Sequence, residues 1–148
     1  MLDLSTKLAM LASGLFLVAA ILTGGWKYHH IRNSDDHRAP AYVNIAHQAS
    51  LAYAFSSLVV AVLAQFSGWP TWINIFAVVA MLYQFLFATT AYVIHGFDRS
   101  MRNQFAPPHR LGGLRLSPKL VSASMIFLFL SELGGALVLL SGFVLFNF

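Results

Sequence analysis

Four long apolar stretches dominate the 148-residue chain, and they restrict it to very few folds. They run from about Leu8 to Trp26, Val43 to Phe66, Trp72 to His95 and Leu120 to Phe146. Each is near or above the roughly 20 apolar residues that a helix needs to span a bilayer. Because backbone amides and carbonyls find no water inside hydrocarbon, each stretch is predicted to be helical. The sequence therefore predicts one domain, residues 1–148, that is an all-α integral membrane four-helix bundle, with its first stretch retained rather than cleaved as a signal peptide.

The composition agrees with placement in a lipid bilayer. Hydrophobic residues make up 58% of the chain and charged residues 9%, whereas soluble domains carry about 25% charged residues. The sequence contains no cysteine, which excludes disulfides and thiolate metal sites. The net charge of +4 comes from a few loops, a pattern that indicates membrane orientation and not nucleic-acid binding.

The charged residues gather in two of the three connections. Residues 27–41 and 96–119 hold most of them, including Arg102, whereas residues 67–71 hold none. With four helices, the two charged connections lie on one side of the membrane. The positive-inside rule predicts that this side is cytoplasmic and that both termini lie outside. A small, basic, cysteine-free protein of this kind is expected in a bacterial inner membrane.

Helix two carries an ionisable residue, which is costly inside a membrane and needs an explanation. At 100° per residue, His47 shares one arc of the helix with Ser50, Tyr53 and Ser57. This face is polar and lined with small residues. His47 is either a histidine that hydrogen-bonds a neighbouring helix, or an axial metal ligand or acid–base group.

Helix three carries a similar stripe, which ends in a second histidine. Gln84, Ala88, Ala91 and Tyr92 lie on the same face as His95. Because helices two and three are antiparallel, both histidines are predicted near the charged side of the membrane. Two imidazoles can hold one haem iron from opposite sides, and His95 can equally cap its helix.

Glu132 lies near the middle of helix four, where a carboxyl group is either neutral or paired. It is either a structural hydrogen-bonding group or a proton relay or pocket acid. Nearby, Ser131 and Gly135 form a pair of small residues four apart. Such a pair suits a tight bundle or a contact between subunits.

The histidines of the charged connections raise the hypothesis of a metal cluster. They are more simply explained as solvated residues or as contacts to lipid headgroups. The sequence has no zinc-protease, Walker or serine-elbow motif. The histidines concerned are His29, His30, His37 and His109.

The order of these features resembles a known family. Ala46-His47 opens helix two, Tyr92 lies late in helix three, and Asn103-Gln104-Phe105 follows in a polar loop. In this order the chain resembles the small four-helix membrane family that includes styrene oxide isomerase and hydroxylaminobenzene mutase. The resemblance covers most of the chain, and the distance from His47 to Tyr92 matches without a gap.

This resemblance implies a haem b bound at the subunit interfaces of a homotrimer. The haem iron would act as a Lewis acid on a small lipophilic epoxide, which a hydride shift converts to an aldehyde. His47 would be the axial ligand and Tyr92 the active-site tyrosine. The chain departs from the family at two pocket positions, where Tyr53 replaces an asparagine and Gln84 an acidic residue, and it lacks a basic C-terminal tail.

Three hypotheses follow for the function. The first is a haem-dependent isomerase in which His47 binds iron, Tyr92, Tyr53 and Gln84 line the pocket, and Glu132 contributes if it faces inward. The second is an electron-transfer cytochrome in which His47 and His95 both bind one haem. The third is a membrane assembly or interaction subunit without a cofactor.

Overall fold

The computed structural model describes residues 2–99 and 103–148 and therefore leaves Arg102 outside the described residues. Its four helices are α1 (Leu4–Arg32), α2 (Ala41–Phe66), α3 (Thr71–Asp98) and α4 (Pro118–Asn147). All four are long and apolar enough to cross a membrane. The shortest has 26 residues, or about 39 Å at 1.5 Å per residue, against a hydrocarbon core of about 30 Å. The prediction of an all-α integral membrane four-helix bundle is confirmed.

The helices extend past their predicted ends at the charged side. The predicted end of the first helix at Trp26 is wrong, because α1 continues to Arg32. Likewise α3 continues past His95 to Asp98, where Arg99 adopts a left-handed φ of 52° and donates its amide to the His95 carbonyl. Hydropathy detects only the part of a helix inside hydrocarbon, whereas the backbone hydrogen bonds continue into the polar interface.

Small residues let α1, α2 and α3 approach closely around the core. The hydrophobic effect does not drive helices together in lipid, because the lipid tails are themselves apolar. Close packing of helix backbones is therefore a main contribution to helix association. Ser13 strengthens the contact between α1 and α2, because its hydroxyl donates to the Ala54 carbonyl at 2.8 Å. The buried alanines of this core include Ala9, Ala54, Ala61, Ala64 and Ala77.

Helix α4 packs against the others through glycines. A Cβ at Gly135 would lie 2.6 Å from Met81 Cγ and 2.9 Å from the Ala77 carbonyl oxygen, so α4 can meet α3 here only without a side chain. Farther along, the Trp69 indole donates to the Val138 carbonyl at 3.1 Å. The Gly135 of the predicted small-residue pair therefore serves packing within the chain.

Two contacts hold the two charged connections together at one end of the bundle. The Trp26 and Phe97 rings stack with centroids 4.5 Å apart. Arg99 Nη2 lies 3.2 Å from His30 Nε2. Both connections thus lie on the same side of the membrane, as predicted.

A short hairpin, which was not predicted, precedes α4. Its strands are β1 (Arg110–Leu111) and β2 (Leu114–Arg115), paired antiparallel with Arg110 opposite Arg115. The turn needs Gly112, whose φ of +57° suits a residue without a side chain. Ser117 then caps α4 by accepting the Leu120 amide at 3.2 Å. The hairpin places Arg110 and Leu111 over the gap between α3 and α4.

Candidate functional site

His47 is oriented by a backbone carbonyl of the neighbouring helix. Its Nδ1 lies 3.0 Å from the carbonyl oxygen of Ala20 in α1. A carbonyl oxygen only accepts, so this contact assigns the imidazole proton to Nδ1 and leaves the lone pair on Nε2. Within residues 2–99 and 103–148, Nε2 has no hydrogen-bond partner. The ring therefore offers one free nitrogen with a fixed tautomer.

Gly24 provides the space in which this imidazole lies. A Cβ at Gly24 would lie 3.1 Å from His47 Cε1 and 3.3 Å from its Nδ1. By contrast, a Cβ at the adjacent Gly25 would have no atom within 4 Å. The His47 ring is therefore seated against the α1 backbone by one particular glycine.

This arrangement suits a metal ligand. Metal-binding histidines almost always donate their second ring N–H to a carboxylate, a carbonyl or a water, which fixes the ring and raises its basicity. The Ala20 carbonyl has this role for His47. The residues around His47 thus fit the axial ligand of the haem b that the resemblance implies.

His95 lies in a different environment from His47. It is 3% exposed, and its ring packs on Tyr42 with centroids 4.8 Å apart. Tyr42 precedes His47 by five residues, which corresponds to about 140° around α2. His47 contacts α1 whereas His95 packs against a face of α2 well away from it, and no ring contact or hydrogen bond joins them in the described part of the chain.

A cavity of about 170 Å³ lies between α3, α4 and the hairpin, with one wall reaching α2. It brings together two residues of the sequence hypothesis, Tyr53 and Tyr92, along with His95. The remaining walls are mainly apolar, and Arg110 lies at the end near the charged loops. Its other lining residues are Phe87, Ala88, Ala91, Gln104, Phe105, Leu111, Leu116, Val121, Ser124, Met125 and Leu128.

Aromatic packing holds the two tyrosines in place. Tyr53 stacks on Phe85 of α3, with ring centroids 4.3 Å apart and planes inclined by 15°. Tyr92 lies 6.4 Å, centroid to centroid, from Tyr42. Both tyrosines are half-buried and line the cavity with rings that neighbouring aromatic side chains hold in place.

Glu132 lies close enough to interact electrostatically with both Tyr53 and Tyr92. Its Oε1 is buried and has no hydrogen-bond partner in the described residues. Gln84 lies apart from the cavity lining, 2% exposed, with its Nε2 3.5 Å from Ser131 Oγ. The structure therefore groups the carboxyl group of α4 with the two tyrosines and places Gln84 in the contact between α3 and α4.

A second cavity of about 420 Å³ lies between α1 and α3. Leu15, Phe16 and Leu86 are among its mostly apolar walls. Leu15 and Leu86 are also strongly exposed on the surface of the bundle. This groove can take up apolar groups, and its walls offer little chemistry.

Two residues near the first cavity were absent from the sequence hypothesis. Tyr42 packs on His95, and its hydroxyl accepts the Gln104 amide. Arg110 enters the cavity because the hairpin turns the chain back toward α3. The pair Gly112-Gly113 between two arginine–leucine pairs is the sequence signal that could have indicated this turn.

The hypothesis of a loop metal cluster gains no support from the described residues. Among them, no three histidine or acidic side chains come together in a way that could hold a metal ion. His29 instead lies against Asn33, and His109 Nδ1 lies 3.2 Å from the Gln104 carbonyl. A haem ligand set needs only one or two histidines and is a separate question.

Comparisons of the chain with protein-family models, curated proteins and solved structures give no match. The family resemblance therefore stays a prediction. The case for a function rests on the geometry around His47 and on the cavity that contains Tyr53 and Tyr92.

Proposed function

We propose that this integral membrane protein binds haem b through His47 and isomerises small apolar epoxides to carbonyl compounds. The observation that carries the proposal is the contact between His47 Nδ1 and the Ala20 carbonyl. It leaves Nε2 free and aligned as metal-bound histidines usually are.

The geometry favours one protein ligand over two. His47 contacts α1, whereas His95 packs on Tyr42, about 140° around α2 from His47. This separation argues against one haem held by both histidines, which the electron-transfer cytochrome would need. His47 does not line the cavity that contains Tyr53 and Tyr92, so in the proposed oligomer the haem site would meet this cavity across a subunit contact.

When bound, the haem supplies an iron that can polarise an epoxide oxygen as a Lewis acid. The chain itself supplies the surroundings of the substrate. Tyr53 and Tyr92 present hydroxyl donors to a mainly apolar cavity, where a hydrogen bond to a developing alkoxide is stronger than in water. The carboxyl group of Glu132 lies near both tyrosines, and the apolar walls of the cavity exclude water and favour a lipophilic substrate.

The small cavities within one chain favour haem binding between subunits. Pockets for drug-sized ligands measure about 300–1,000 Å³; the cavity of about 170 Å³ lies below this range and the cavity of about 420 Å³ lies in its lower part. A haem is larger than such a ligand, so a homo-oligomer, and a homotrimer by the resemblance, is part of the proposal. The shared end of the two basic connections further favours a cytoplasmic orientation of that end in a bacterial inner membrane.

A direct test uses the purified full chain, loaded with haem and reconstituted in liposomes. A single-ring epoxide is added, and formation of the aldehyde is followed by NMR. We expect turnover by the wild type and none by His47→Ala. A protein that binds haem fully but converts no epoxide would favour the cytochrome. A protein that takes up no haem would favour the assembly subunit.

A further inference from the structure

The end of the first cavity near the charged loops holds two polar atoms that lack partners. His95 Nδ1 and Arg110 Nε are both buried and have no hydrogen bond in the described residues. His95 itself is 3% exposed and lines the cavity, as Arg110 does. A buried polar atom without a partner is unfavourable, most of all on a charged group. Arg110 Nε only donates, so it indicates a ligand that accepts hydrogen bonds, and His95 donates to the same acceptor when its proton is on Nδ1.

We propose that this cavity binds a small aromatic carboxylate, with its carboxylate against Arg110 and His95 and its ring among the apolar walls. The size suits a single ring, because a cavity of about 150 Å³ accommodates one benzene molecule and this one measures about 170 Å³. Phe87, Met125 and Leu128 supply the apolar surface. This ligand is distinct from the neutral epoxide of the proposed reaction, and its binding needs no haem.

The charge around the cavity supports an anion. Arg110 is the one permanently charged residue among the described lining residues. Two carboxyl groups lie nearby, since Asp98 interacts with His95 and Glu132 with the tyrosines, but neither lines the cavity. A guanidinium group binds a carboxylate more strongly than it binds a neutral acceptor, because the hydrogen bond is charge-assisted.

The cavity is also reachable from the membrane interface. Phe87 and Phe105, both of which line it, are 38% and 52% exposed. Phe105 lies in the charged connection before α4, so the cavity extends to the surface beside the charged loops. An amphipathic carboxylate partitions to this depth, because its ring favours the apolar region and its charge favours the headgroup region. Since Tyr53 and Tyr92 share the cavity, a bound carboxylate would compete with the epoxide.

The test measures binding of 4-fluorobenzoate to the full chain in nanodiscs of uncharged-headgroup lipid by fluorine NMR. 4-Fluorobenzamide serves as the neutral isostere. We expect saturable binding of the benzoate and much weaker binding of the benzamide. Arg110→Gln should lower benzoate affinity roughly tenfold to a hundredfold, while Arg115→Gln, the matched control across the hairpin, should leave it unchanged.

Ala91→Phe provides a second, independent variant, because it fills the cavity without changing its charge. It should abolish binding while circular dichroism shows unchanged helix content. Equal binding of benzoate and benzamide, equal loss in Arg110→Gln and Arg115→Gln, or full binding by Ala91→Phe would each overturn the inference. His47→Ala should still bind benzoate, so a failure of the haem proposal leaves this result intact and the two proposals fail separately.

Discussion

His47 Nδ1 lies 3.0 Å from the backbone carbonyl oxygen of Ala20, and this one contact joins α2 to α1 and selects the tautomer of the imidazole. Backbone carbonyls inside a transmembrane helix are normally occupied by their own helix. The Ala20 oxygen accepts from His47 in addition to its helical partner, and the Thr23 hydroxyl lies 3.1 Å from the same oxygen. A ring held in this way points its remaining nitrogen in one direction, as an axial ligand requires.

The adjacent residues Gly24 and Gly25 allow a matched test of how closely the His47 ring packs against α1. Gly24→Ala places a methyl group 3.1 Å from His47 Cε1, which pushes the ring by a few tenths of an ångström. Metal–ligand distances tolerate only about 0.2 Å, so we expect haem affinity to fall about tenfold. Gly25→Ala adds its methyl group in open space and should leave affinity unchanged. Haem titration followed by absorbance measures both variants, and equal affinities would contradict the role of Gly24.

A second pair of glycines tests the packing of α4. Gly135→Ala forces a methyl group against Met81 and the Ala77 carbonyl, and overpacking of this kind costs about 1–3 kcal/mol. At Gly134 a methyl group meets no atom within 4 Å, so Gly134→Ala should cost nothing. Unfolding in mixed detergent, followed by circular dichroism, gives the two free energies of unfolding. A Gly134→Ala variant that is the less stable of the two would refute this packing.

The Tyr92 hydroxyl is expected to act on the substrate. Tyr92→Phe keeps the ring and its packing, so the fold should persist while kcat falls about a hundredfold, as for the loss of one donor to a developing oxyanion. Tyr83→Phe is the control, because Tyr83 lies on the same helix and is 58% exposed. Initial rates of epoxide conversion measure both variants. Equal rates would remove Tyr92 from the mechanism.

Glu132→Gln separates the chemical from the structural role of the buried carboxyl group. Its Oε1 has no hydrogen-bond partner among the described residues, so the neutral amide should change the free energy of unfolding by no more than about 1 kcal/mol. As the pocket acid of the proposed reaction, Glu132 would contribute by proton transfer, so kcat should fall about a hundredfold or more with little change in KM. Unchanged kcat together with a clear loss of stability would indicate a purely structural glutamate.

The four helices could be predicted because hydropathy and bilayer thickness fix where each one crosses. The same reasoning missed the helical turns from Lys27 to Arg32, since most of these residues are polar although their backbone stays helical. It also missed the hairpin around Gly112, because four residues of strand give no periodic signal. Elements that lie outside the membrane were thus the least predictable.

The candidate site was predictable only in part. The stripe on α3 correctly indicated that Tyr92 and His95 share a face, and both line one cavity. Sequence spacing, however, left open whether His47 and His95 face each other. That depends on how α2 is rotated between α1 and α3, which is set by close contacts such as Gly24 against His47 and not by the periodicity of any one helix.

The most direct test of the central claim is the absorbance spectrum of the purified protein beside its His47→Ala and His95→Ala variants. We expect a Soret band in the wild type that shifts when a small epoxide analogue is added, because one coordination position is open. The band should disappear in His47→Ala and persist in His95→Ala, whose ring packs on Tyr42. A Soret band that survives His47→Ala, or a haem-loaded wild type whose band is lost in both variants, would contradict a haem held by His47 alone.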